Sequence, residues 1–272
     1  MRKKHPNIAR CLLVLSILIA FLIVSISWLG KEQAKIVNSE KIAVFGYHNL
    51  ASNQAKNKYF KFDPWTSSIT SFEKQMKYLK EHGYQSISLD EFYLWKKGKA
   101  QYSNKTVLIT FDDSCYSSVE LAKPILKKYG FKASTFVIGY SIPKTFEKYD
   151  ESIKQHIPKE QLKDDETMKF YSHSYHQHRK IDGTYAVNAY SMKQLDQDIA
   201  RAGQTTNIKY YAYPFGKYND AIIKTLQNHN VKLAFSYNQF DKVNRSDANY
   251  SLPRFSVNAY TPMWLFKIML NR

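Results

Sequence analysis

The feature that most constrains this chain is an alternation running through most of its length. Short apolar runs of strand length are separated by stretches whose apolar residues recur at helical spacing. IAVFGY at 42–47, VLITF at 107–111, ASTFVI at 133–138, MKFYS at 168–172, YYAYP at 210–214 and LAFSY at 233–237 are the strand-like runs. Ile69, Phe72, Met76 and Leu79 mark one helix, residues 117–129 a second that Gly130 stops, Met192, Leu195, Ile199 and Ala202 a third, and residues 221–227 a fourth. Thr70 with Glu73, and Ser88 with Glu91, have capping-box spacing, and Thr261-Pro262 suits the start of a last helix. Residues 50–67 read as a loop, and 139–166 as a polar, irregular segment with a short helix near KEQL. The alternation predicts an α/β protein with parallel strands. It does not separate a barrel from an open doubly wound sheet, but in both the chemistry collects at the C-terminal ends of the strands.

The N-terminus sets the expected compartment. Residues 11–30 (CLLVLSILIAFLIVSISWLG) carry no charged side chain. Twenty residues at about 1.5 Å rise match a hydrocarbon core about 30 Å thick. Arg2, Lys3, Lys4 and Arg10 precede the run, so residues 1–10 are expected in the cytoplasm and the rest of the chain outside. The run exceeds a usual signal-peptide h-region and no clear A-x-A site follows it. The expectation is therefore an uncleaved single-pass anchor over 11–30, with secretion after cleavage as the rival. A polar linker at 31–40 and one domain over 41–272 complete the expected organisation. The net charge is +17, and residues 1–30 hold four of the positive charges and no negative one, leaving +13 on the remainder. On an exported domain that balance points to anionic cell-wall polymers or headgroups rather than nucleic acid, with a charge that only solvates the surface as the alternative. The two cysteines, Cys11 and Cys115, are too few for a disulfide framework or a multi-cysteine zinc site. Cys115 reads as a small buried residue.

Three segments just after strand-like runs carry chemistry. Thr110-Phe111-Asp112-Asp113 ends the clearest strand. Two adjacent carboxylates there are costly to bury unpartnered; a metal would neutralise one and leave the other as a base, while a helix N-cap is the structural alternative. The second segment, Ser172-His173-Ser174-Tyr175-His176-Gln177-His178, holds three of the chain's eight histidines. His173 with either His176 or His178 can converge on one cation, and Asp with two His leaves an open position for water. The third, Ala212-Tyr213-Pro214-Phe215-Gly216, is a rigid turn that can aim a backbone N–H at an oxyanion.

Together these segments resemble the polysaccharide deacetylase family, carbohydrate esterase family 4 or NodB-homology domain. TFDD at 110–113 resembles its first motif, with Ser114 where the family usually has Gly. His173-Ser174-x-x-x-His178 fits the family's longer histidine motif, common in the branch acting on poly-β-1,6-N-acetylglucosamine. AYPFG at 212–216 resembles that branch as well, and Tyr47-His48 and Leu252-Pro253-Arg254 are further points of likeness. The resemblance implies a distorted (β/α)7 barrel and a metal-dependent N-deacetylase releasing acetate from an N-acetylglucosamine polymer. It also implies that Asp113, His173 and His178 hold a divalent cation, Zn2+ by expectation, that Asp112 is the general base, and that the Phe215 backbone N–H helps bind the oxyanion.

The family's late histidine, a general acid, has no clear counterpart. After His178 only His229 remains, in a helix-like segment where it reads as exposed. His48 and His176 are the candidate acids. The rivals are a peptidoglycan or chitooligosaccharide deacetylase and a catalytically inactive glycan-binding module.

Overall fold

A computed structural model describes residues 18–22, 38–237 and 241–272. Most of the expected anchor at 11–30 and of the linker at 31–40, with Cys11 and the expected cytoplasmic residues 1–10, lies outside the described residues. Residues 18–22 are helical. Among the described residues no helix is long and apolar enough to cross a membrane.

The strands are β1 (Lys41–Tyr47), β2 (Asn49–Ala51), β3 (Thr66–Ser68), β4 (Gln85–Ser86), β5 (Thr106–Phe111), β6 (Ala133–Val137), β7 (Met168–Ser172), β8 (Lys180–Ile181), β9 (Thr184–Tyr185), β10 (Asn207–Ala212), β11 (Leu233–Phe235), β12 (Val243–Asn244) and β13 (Phe255–Ser256). The helices are α1 (Asn53–Tyr59), α2 (Ile69–Glu81), α3 (Leu89–Lys96), α4 (Lys123–Tyr129), α5 (Ala186–Ala189), α6 (Met192–Thr205), α7 (Asp220–Asn228) and α8 (Met263–Asn271). The main sheet runs β11-β10-β7-β6-β5-β1-β12, with β13 also on β1 and β4 also on β5. Every pairing along it is parallel except that of β12 with β1.

The expected α/β class with parallel strands is observed, and all six strand-like runs are strands of this sheet. Side chains alternate across it as a two-residue period requires. Ala43, Phe45 and Tyr47 of β1, with Val107, Ile109 and Phe111 of β5, pack on α2, α4 and α8 through Phe72, Leu126 and Phe266. Tyr211 and Ala234 pack on α6 and α7 through Leu195, Ile199 and Leu226. The opposite face places Ile42, Val44, Leu108, Phe136, Tyr171, Tyr210 and Phe235 in one cluster. Those residues come from six strands spaced about 4.8 Å apart. A flat sheet cannot bring them into one cluster, so the sheet is curled round them into a parallel half-barrel. The two ends of the curl meet through an isolated bridge between Phe235 and Leu252, and the chain runs on from Leu252 into β13, which joins β1.

Several local expectations shift. The N-cap of α2 is Ser68, whose side chain accepts from Ser71 N–H; Thr70 lies inside the helix, and Glu73 pairs with Lys128 at 2.6 Å instead of closing a box. The Ser88–Glu91 capping box is present as expected. The last helix is capped by Pro262, one residue later than expected. Residues 50–67 are not simply a loop but contain α1, most of β2 and the start of β3. The 139–166 segment holds only short 3-10 turns, one at Lys159–Gln161 in the KEQL stretch.

Candidate active site

The strand ends converge as the sequence predicts. β5 is buried along its whole length, and Asp112 and Asp113 follow its last residue. Asp112 stays in the extended direction and its N–H donates to Tyr47 C=O at 2.9 Å. Asp113 and Ser114 then turn into the left-handed region, at φ 65° and 55°. That sharp turn sends the two neighbouring carboxylates to different surroundings. The family's usual Gly after the acids meets this backbone demand without strain. Here Ser114 meets it with compensation: its Oγ accepts from Ile138 N–H at 2.6 Å, and its C=O accepts from Ile157 N–H at 2.9 Å.

Asp112 is completely buried. Arg254, also completely buried, reaches it with both ends of its fork: Nη1 donates to Oδ1 and Nη2 to Oδ2, each at 2.7 Å. Tyr237 adds a third donor, OH to Oδ2 at 2.9 Å. Burial pushes this carboxyl up, but the Arg254 guanidinium beside it outweighs that and holds it below the usual range, so it is ionised.

Asp113 has no such donors. His173 Nε2 stands 3.4 Å and His178 Nε2 3.0 Å from its Oδ1, yet that oxygen is buried without a hydrogen-bond partner. His173 is oriented by its Nδ1, 2.8 Å from Ala212 C=O, which leaves Nε2 as the face presented to the site. His178 is stacked on Phe215 with ring centroids 4.2 Å apart. Ligand atoms of Asp113, His173 and His178 all lie within 4.8 Å of one another. A carboxylate oxygen and two imidazole nitrogens facing one point, with no hydrogen bond to settle the oxygen, are the donor set of a divalent cation with an open coordination position. These residues therefore fit a resident metal. Burial raises the Asp113 carboxyl, but the two imidazoles carry it well below its ordinary value; burial lowers the His178 imidazole, but Asp113 outweighs that and raises it.

The remaining expected residues separate. His48, just after β1, lines the same cavity of about 160 Å³ as Asp113 and His178. Its Nε2 is 4.0 Å from Asp113 Oδ2, its ring leans on Trp65, and its Nδ1 is buried without a hydrogen-bond partner. Burial lowers its pKa. His176 does not enter this cavity. Ser174 adopts φ 72°, and the turn it begins carries His176 to a separate hollow with Arg179 and Arg201, where its ring lies flat on Tyr140 at 3.7 Å. His229, half-buried rather than exposed, caps the end of α7 and contacts Asp196 at 2.8 Å, and it does not line the cavity of Asp113 and His178. Phe215 sits at φ 57° in a tight turn whose neighbours close it: Gly216 N–H donates to Tyr213 and Lys217 N–H to Pro214. Cys115 is buried at the edge of the cavity, and burial pushes its thiol well up, which keeps it un-ionised.

Sequence reasoning passed over Tyr237 and His156 and saw Arg254 only as part of a likeness. His156 Nδ1 lies 2.9 Å from Asp113 C=O, so the irregular segment pins the backbone of the carboxylate ligand. Its one signal was a lone histidine in a long polar loop, which carries no period.

A model of the family described as polysaccharide deacetylase matches residues 99–234, half of the chain. The chain belongs to the polysaccharide deacetylase family. It is an enzyme, a polysaccharide N-deacetylase, of a family that depends on metal. The matched residues include Asp112, Asp113, His173, His178 and Phe215 but stop short of Tyr237 and Arg254. A poly-beta-1,6-N-acetyl-D-glucosamine N-deacetylase of Staphylococcus aureus (strain MRSA252) is 29% identical over 222 residues, covering 79% of this chain and 73% of the relative. Among solved structures, the deacetylase PplD of Streptococcus pyogenes, in complex with acetate, superposes with a TM-score of 0.66 at 22% identity, covering 85% of this chain and 98% of that one. A de-N-acetylase of Aggregatibacter actinomycetemcomitans gives 0.69 at 20% identity, covering 84% and 99%. These likenesses show the same fold.

Proposed function

We propose that this deacetylase removes N-acetyl groups from an extracellular N-acetylglucosamine polymer, poly-β-1,6-N-acetylglucosamine, using a zinc ion held by Asp113, His173 and His178. The observation that carries this reading is the pair of carboxylates at the end of β5. One is clamped and ionised, and the other faces two imidazoles with no donor of its own. The long His173–His178 spacing and the named S. aureus relative support the β-1,6 linkage. In the same reading the curled sheet is a distorted (β/α)7 barrel closed at the Phe235–Leu252 bridge, and residues 11–30 anchor the chain so that the domain works outside the membrane. The positive charge of the domain suits anionic wall polymers beside the substrate.

A bound divalent cation supplies Lewis acidity to the acetamide carbonyl and acidity to a water beside it. Asp112, ionised by Arg254, accepts the proton of the attacking water. The Phe215 N–H donates to the oxygen that gains charge as the carbon becomes tetrahedral. Collapse of that tetrahedral carbon breaks the C–N bond, and the leaving nitrogen needs a proton. His48 lines the cavity beside Asp113; burial keeps its resting ring neutral, so it relays to the leaving nitrogen the proton that Asp112 took from the water. Acetate and a free amine remain.

Acetate release from defined β-1,6 and β-1,4 N-acetylglucosamine oligomers, by zinc-loaded and by chelated protein, tests this. Release from the β-1,6 series alone and only with zinc is expected. Equal rates on the β-1,4 series would move the substrate to chitooligosaccharides or peptidoglycan, and full activity after chelation would sink the metal role.

A further inference from the structure

Tyr237 follows β11 and reaches the base with its hydroxyl, while its ring stacks on His48 with centroids 6.0 Å apart. Its hydroxyl donates to Asp112 Oδ2 at 2.9 Å, and the Arg254 guanidinium lies 4.3 Å from its ring centroid. Arg254 Nη2 donates to that same oxygen and Nη1 to the other. An ionised carboxylate has about four lone-pair sites, two on each oxygen. Oδ2 therefore accepts twice and is full, while Oδ1 accepts once and keeps a site open. Burial pushes the phenol well above its ordinary value, so it stays a donor at neutral pH.

The ring is enclosed where side chains have been left out. A Cβ on Gly46, in β1, would stand 2.5 Å from the Tyr237 hydroxyl and 2.7 Å from its Cε1. A Cβ on Gly216 would stand 3.1 Å from the Tyr237 backbone N and 3.3 Å from its Cδ2. Gly216 belongs to the turn that presents the Phe215 N–H, and Ser236 Oγ donates to Gly216 C=O at 2.8 Å. One residue thus touches the base, the counter-ion of the base and the oxyanion turn, yet it does not line the cavity that holds Asp113, His48 and His178.

We propose that Tyr237 is a positioning residue for deacetylation: it occupies Oδ2 so that Oδ1 takes the proton of the attacking water, and it sets Asp112 against the turn around Phe215. This rests on Asp112 being the base. Because Tyr237 touches none of the cation ligands and meets the cavity only through the stack of its ring on His48, with centroids 6.0 Å apart, replacing it by Phe, which keeps that ring, should lower turnover without changing metal or substrate binding.

The test compares zinc-loaded wild type, Tyr237→Phe, Gly46→Ala and Asp112→Asn on a defined β-1,6 N-acetylglucosamine oligomer, with zinc content and melting temperature read on the same preparations. Tyr237→Phe should lower kcat by about tenfold, the loss of one hydrogen bond to a charged group, with KM within about twofold and zinc still stoichiometric. Gly46→Ala keeps the phenol but pushes it off Asp112, and should lower kcat in the same way. Wild-type kcat in Tyr237→Phe overturns the proposal. So does loss of zinc in that variant, which would make the residue structural. If Tyr237→Phe does not fold, Gly46→Ala carries the test, and an unchanged kcat there overturns it. An inactive wild type, or full turnover in Asp112→Asn, removes the base reading and the inference with it, whatever Tyr237→Phe does.

Discussion

Asp112 accepts three side-chain hydrogen bonds at 2.7–2.9 Å from Arg254 and Tyr237, whereas Asp113, the next residue, has a buried oxygen that accepts none. Asp112 is fully buried and Asp113 half-buried, and burial alone would make the first cost several kcal/mol as an ion and the second less. The fold meets that cost in two ways. Asp112 is neutralised by a guanidinium that the chain itself supplies from 142 residues away. Asp113 has no such donor, and in the proposed reading a cation that two imidazoles help to hold neutralises it. The left-handed backbone at Asp113 and Ser114 makes the division possible, because it stops the second carboxylate from following the strand. The difference teaches that a pair of identical side chains can be assigned opposite duties by one turn.

The comparison breaks most visibly at the cation half. His173→Ala or His178→Ala should strip tightly bound zinc and abolish acetate release, while His176→Ala, in its separate hollow on Tyr140, should leave both intact. Metal analysis of the three purified variants decides it, and zinc loss in His176→Ala alone would reverse the ligand assignment.

The next effect isolates the base half. Asp112→Asn should keep its zinc and lose about 10²–10⁴-fold in turnover, the usual range for a general base. Metal loss equal to that of Asp113→Asn would erase the distinction between the two acids.

Arg254→Ala leaves Asp112 as an uncompensated buried charge, which typically costs about 3–5 kcal/mol. Urea unfolding should show that drop in wild-type background, and a much smaller one when Asp112→Asn is also present. Additive losses would mean that the two groups do not act as a pair.

The smallest effect concerns a carboxylate outside the site. Asp90 is held by Lys209 at 2.6 Å, Lys169 at 3.0 Å and Tyr210 at 2.9 Å. Burial pushes it up, but these donors win and lower its pKa to about 2. A carboxyl whose pKa is lower folded than unfolded contributes stability above its unfolded value and loses it as pH falls through the folded one. The melting temperature of wild type should therefore exceed that of Asp90→Asn slightly at pH 5–7, and the gap should close between about pH 4 and 2. A gap that widens in acid would contradict the sign.

Much of this was legible in the chain, and the reason differs by residue. The six strands of the curl were readable because each is a contiguous apolar run, and Asp112, Asp113 and the histidine segment stood out because they follow such runs directly. Arg254 and Tyr237 were not readable as partners of Asp112. Their contact depends on the sheet curling until β11 and β1 approach, and no local period encodes that. The choice between His176 and His178 was equally hidden, since it turns on the backbone of Ser174 and not on spacing. The cap of α2 slipped from Thr70 to Ser68 because both are hydroxyl residues, and the end of β3 decides between them.

The late position of Arg254 has a consequence for synthesis. Chains emerge from the N-terminus and compact regions fold as they appear. By the time His178 has left the ribosome, all three proposed cation ligands have been made, but the charge that balances Asp112 is still dozens of residues away. The Ala212 C=O that orients His173 and the Phe215 ring that stacks on His178 also come later than His178, so the candidate ligands and the counter-ion of Asp112 are fixed in place only once nearly the whole chain has been made.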